Sequence, residues 1–80
     1  MEKIEVTAHF NARGQIKPSR FVWAGKTYQV DSVGRTWTAK DGLHILVIAA
    51  ENQVFHFMFI PQEGSWHLLS GSENPNVHMI

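Results

Sequence analysis

Leu43-His44-Ile45-Leu46-Val47-Ile48-Ala49-Ala50 and Val54-Phe55-His56-Phe57-Met58-Phe59-Ile60 decide how this chain folds. Read with the two-residue period of a strand, both stretches are apolar on both faces. Leu46, Ile48 and Ala50 alternate with Ile45, Val47 and Ala49; Phe55, Phe57 and Phe59 alternate with Val54, Met58 and Ile60. A strand in a sheet with one wet face is apolar on the other face only. No stretch shows the apolar spacing of a helix that would cover a second face. The sheet must therefore roll up and cover itself, or another molecule must cover it.

The flanking sequence supplies more strands and the turns between them. Lys3–Phe10 alternates, with Ile4, Val6, Ala8 and Phe10 facing one way and Glu5, Thr7 and His9 the other. Asn11-Ala12-Arg13-Gly14 is a turn, with Gly14 suited to a positive φ. A second strand covers Gln15–Trp23, broken or at an edge where Pro18 lacks a donor. Ala24-Gly25 makes a two-residue hairpin loop that sets Trp23 opposite Lys26 and Phe21 opposite Tyr28, so Phe21, Trp23, Tyr28 and Val30 share a face. Lys26–Thr38 changes phase between Val30 and Val33, which predicts a bulge near Asp31-Ser32 or at Gly34 that turns Val33 and Trp37 back to the core. Asp41-Gly42 predicts a type I′ hairpin pairing Trp37 with Leu46 and Arg35 with Ile48. Glu51-Asn52-Gln53 and Gln62-Glu63-Gly64-Ser65 supply the last turns. A Glu63-Gly64 loop would set Phe59 opposite Leu68 and Pro61 opposite Trp66. The expectation is an all-β, six-stranded antiparallel meander curled into a small SH3-like barrel or roll. The competing architecture is an open curved sheet with its second face buried in a homodimer. Residues 1–71 read as a single β domain and 72–80 as a flexible C-terminal tail.

Eighty residues give one domain with a small stability margin. With no cysteine, there is neither a disulfide nor a thiolate metal site to help, which fits a cytoplasmic protein. The first residues carry no signal-peptide core, and Ile45–Ala50 is too short to span a membrane. Net charge is zero but lopsided. All seven Lys and Arg residues lie in residues 1–40, which carry +4; residues 41–80 contain only acids and carry −4. Such asymmetry marks a basic binding face or a dipolar molecule.

Chemistry-bearing patterns are few. His9, His44, His56, His67 and His78 show no zinc-ligand spacing, so no metal and no cofactor are expected. His56 and His67 are expected to share a face of neighbouring strands, with His44 on the other face. The serines lack a Gly-x-Ser-x-Gly elbow, and no glycine loop is built for phosphate. The chain therefore does not read as an enzyme.

The stretch Pro18-x-x-Phe21-x-Trp23-x-Gly25-x-x-Tyr28-x-Val30, followed by Gly34-Arg35-Thr36-Trp37, Gly42-Leu43-His44-Ile45-Leu46-Val47 and Trp66-His67-Leu68, resembles a group of small uncharacterised bacterial proteins of this length. The likeness runs from Ile4 to Leu69. It implies no activity and no catalytic residue. It does imply an association of some related short domains with DNA-repair polymerases, and a core containing Phe21, Trp23, Tyr28 and Trp37.

Two functions follow as expectations. The first is a non-catalytic protein-binding or self-associating module that uses the face opposite the phenylalanines, through Val47, Val54, His56, Met58 and Ile60. The second is a nucleic-acid-binding accessory domain using Arg20, Trp23, Lys26 and Arg35, since small barrels hold single strands with basic grooves and aromatic platforms.

Overall fold

A computed structural model describes residues 2–71; the expected tail lies outside the described residues. Six strands follow in chain order: β1 (Glu2–Phe10), β2 (Ile16–Trp23), β3 (Lys26–Ala39), β4 (Gly42–Ala49), β5 (Gln53–Ile60) and β6 (Ser65–Gly71). Each pairs antiparallel with the next, and β6 returns to β1 to close a barrel. Closure resolves the two-faced hairpin. Ile45, Val47, Ala49, Phe55 and Phe57 point inward and are fully buried. Ile4, Ile16, Phe21, Trp66 and Leu68 meet them from the other strands.

Phe21 is the hub of this interior. Its ring stacks on Tyr28 at 5.0 Å and meets Phe55 and Phe57 edge-on at 5.0 and 4.9 Å. The Ala24-Gly25 loop sets that geometry: both residues have positive φ (53° and 79°), and Trp23–Lys26 and Phe21–Tyr28 pair as expected. The first turn is held by Asn11, whose Oδ1 accepts from the backbone N–H groups of Arg13 and Gln15, both at 2.9 Å. Around Pro18 the β1–β2 register shifts, leaving Ser19 bulged, with its hydroxyl donating to the Thr7 carbonyl.

Two expected registers and the expected number of bulges are corrected. The β3–β4 loop is Lys40-Asp41, not Asp41-Gly42, so Trp37 pairs with His44 rather than Leu46, and Ala39 with Gly42. Gly42 is there for another reason: its φ is 152°, and a Cβ would stand 2.6 Å from the Phe59 carbonyl oxygen. β3 carries two bulges, not one. The first, at Asp31, returns Val33 to the interior opposite Val47. The second, at Gly34-Arg35, reverses the phase again and sends Trp37 outside, so Trp37 is not a core residue. Four residues separate β5 from β6, and both Glu63 and Gly64 donate backbone N–H groups to the Ile60 carbonyl. Phe59 consequently pairs with Trp66 rather than Leu68.

Candidate functional site

Two places on the barrel gather polar or unpaired groups. The first is the outer face of β3–β6. The turn Ala50-Glu51-Asn52 keeps even-numbered residues of β4 opposite even-numbered residues of β5. His44 therefore shares the outer face with His56 and, through Met58, with His67; the expectation that it lies on the other face is corrected. One cross-strand row reads Lys3, His67, Met58, His44 and Trp37. Trp37 lies flat on His44, with ring centroids 5.1 Å apart and planes 9° from parallel. The Arg35 guanidinium carbon lies 5.3 Å from the Trp37 ring centroid, within cation–π range.

Beneath this stack runs a hydrogen-bonded chain. Asp41 Oδ1 lies 2.8 Å from His44 Nε2, and His44 Nδ1 lies 2.8 Å from His56 Nε2. The bond to His44 holds the Asp41 carboxyl below its usual range, so it is ionised at neutral pH and only accepts. His44 Nε2 then carries the proton shared with Asp41, and one proton lies between His44 Nδ1 and His56 Nε2. Burial, and secondarily the neighbouring His44, pushes the His56 pKa down, so this ring is neutral at pH 7. A basic nitrogen needs a substrate beside it to do chemistry. Neither the cavity between residues 14–19 and 30–36 nor the one between residues 3–6 and 63–66 is lined by His44 or His56, and no group of three or more His, Asp or Glu among the described residues could hold a metal. The hydrogen bonds tie the β3–β4 loop, β4 and β5 together.

The second place is the seam between β2 and β3. These strands pair only from Trp23–Lys26 to Arg20–Gln29. Beyond Gln29, β3 bends away to follow β4, while Ile16–Ser19 stays with β1. A cavity of about 640 Å³ opens between them, lined by residues 14–19 and 30–34 with Thr36 and Leu43. Val30 and Val33 face the interior yet are only half-buried, and Thr36, opposite the fully buried Ile45, is exposed. Among the described residues, no strand pairs with this edge of β3 over 30–36.

The residues expected to bind a partner scatter. Val47 is inside the barrel, because it pairs with Phe55 and shares the phenylalanines' face. Met58 is on the outer face but is 2% exposed, lying between His44 and His67. His56 and Ile60 are half-buried, and Val54 is 45% exposed. Of the nucleic-acid set, Trp23 packs on Tyr28 and Phe55 and donates its indole N–H to Glu2, whereas Arg20, three residues earlier on β2, is exposed on the opposite face. Lys26 pairs with Trp23 at the hairpin end, and Arg35 covers Trp37. The histidine chain was missed at sequence level, although the three-residue gap from Asp41 to His44 across a strand start was visible. The seam was missed because Pro18 and Asp31 read as isolated breaks rather than as two strands parting at one place. No family model, curated protein or solved structure matches the chain.

Proposed function

We propose that this barrel is a non-catalytic protein-binding module that takes up an extended segment of a partner at the β2–β3 seam. The observation that carries this reading is the departure of β2 from β3 after the Arg20–Gln29 pair. It leaves the 30–36 edge of β3 without a strand neighbour among the described residues, above a cavity with an apolar floor. Backbone N–H and C=O groups at such an edge are a template for a further strand. A bound strand gains affinity from the main-chain ladder and selectivity from its alternate side chains. The outer face of β4 and β5 supports docking less well. Its central residues, His44 and Met58, are already covered, which leaves a smaller apolar patch of half-buried Leu46 and Ile48 beside exposed Val54.

Selection of random linear peptides against the barrel tests the reading. Enriched peptides are expected to shift the backbone amide resonances of residues 14–19 and 30–36. If no linear peptide is enriched, or if the shifts fall only around Leu46, Ile48 and Val54, the proposal fails. Sedimentation at rising concentration reads out self-association separately.

A further inference from the structure

We infer that the seam selects an acidic extended segment of about five or six residues in which apolar and acidic side chains alternate; this rests on the strand-addition reading above. Length comes from the edge itself. Residues 30–36 of β3 and residues 14–19, which lead into and begin β2, line the cavity together, and a strand advances about 3.3 Å per residue, so some 20 Å of backbone fits. Alternation comes from the two sides of an inserted strand. One side would look onto Ile16, Pro18, Val30, Val33 and Leu43, which are buried or half-buried around the cavity. The other side would look outward, where successive side chains on a strand alternate.

On the β2 bank the outward side is basic. Lys17 lines the seam and is exposed. Arg13 precedes the lining residue Gly14, Arg20 follows Ser19, and Arg35 stands between Gly34 and Thr36. The one acid in these two stretches is Asp31. The positive charge thus sits on the β2 bank, where Lys17 lines the seam between Arg13 and Arg20; on the β3 bank the lining charge is Asp31, with Arg35 beside it over Trp37. Complementary charge speeds association and penalises partners of the wrong sign. A single-stranded nucleic acid shares the negative charge but needs free aromatic faces. None lines this cavity: Tyr28 and Trp23 are engaged with Phe21 and Phe55. The bulges at Asp31 and Gly34-Arg35 shorten the regular run of the edge, which discourages indiscriminate sheet extension and suits a short ligand.

The test titrates the isotope-labelled full chain with three end-capped six-residue peptides that alternate valine with glutamate, threonine or lysine, and with an oligothymidine. The glutamate peptide is expected to bind at least about tenfold more tightly than the lysine peptide. It should shift amides at 14–19 and 30–36 and weaken as salt is raised. Lys17→Glu, an exposed change that leaves the core untouched, should narrow the gap between the two peptides. Methylating alternate backbone nitrogens of the glutamate peptide should abolish its binding, because the ladder would be lost. Equal binding of the threonine and glutamate peptides at the seam overturns the acidic preference and leaves strand addition standing. Failure of every linear peptide, including those from a random library, overturns both. Displacement of the glutamate peptide by oligothymidine at equal or lower concentration overturns the choice of a polypeptide partner.

Discussion

Gly42 and His56 show how single residues hold the outer face in place. At Gly42 the Phe59 carbonyl oxygen comes so close that any side chain would overlap it, and the φ of 152° is one that residues with a Cβ rarely adopt. Gly42→Ala should cost about 2–3 kcal/mol, combining backbone strain with displacement of β5, as read by denaturant unfolding. A loss under about 0.5 kcal/mol would show that β5 yields easily there. His56 ties stability to pH. Its folded-state pKa lies below the ordinary 6.5 because burial, and then His44, disfavour the imidazolium. The unfolded chain therefore binds the proton more readily, and its share of stability is complete above about pH 6.5 and lost as pH falls through the lower folded value. Asp41, also lowered, acts in the same direction at more acidic pH: its contribution is present above the ordinary carboxylate value and lost below it. The melting temperature should fall between pH 7.5 and 5.5, and His56→Gln should flatten that fall. An unchanged slope in the variant would remove His56 from the effect.

Turns decide which elements could be read from sequence. Ala24-Gly25 separates two aromatic strands by two residues, so the Phe21–Tyr28 register followed directly. Ala24 nevertheless sits at a φ of 53°, a region that asparagine tolerates better than alanine. Ala24→Asn should stabilise the protein by about 0.5–1 kcal/mol in the same unfolding measurement; no gain would mean that the turn is not strained. Asp41-Gly42 has the sequence of a tight turn, but its glycine answers to the close approach of β5, a tertiary demand invisible in a dipeptide. β3 shows the same limit. Its change of phase announced one bulge, and the first bulge does restore Val33 to the interior. The second lies within Gly34-Arg35, where no apolar residue marks the reversal, so Trp37 looked like core and is instead the cover over His44. The histidine chain follows from the parity across the Ala50–Asn52 turn, and its Trp37 cover from that second bulge.

At the scale of the whole barrel, stability depends on one ring joining the two halves of the chain. β1–β3 and β4–β6 each contribute part of the interior, and Phe21 touches both: Tyr28 on its own side, Phe55 and Phe57 on the other. Its loss would leave a cavity where those three rings converge, and rigid strand partners close such holes poorly. Phe21→Ala should therefore cost about 3–5 kcal/mol. A domain this small has a total stability of only about 4–12 kcal/mol, so the variant should be partly unfolded at room temperature or lose most of its denaturant resistance. Phe10→Ser is the control. The same residue type, at the end of β1, is 66% exposed and should change stability by no more than about 0.5 kcal/mol. Phe21→Leu, which keeps most of the volume, should recover much of the loss and separates packing from expression failure. Equal effects of the Phe21 and Phe10 changes would mean that the interior is not organised around this ring. The barrel would then have to owe its closure to the three β1–β6 register pairs alone, too short a ladder to carry it.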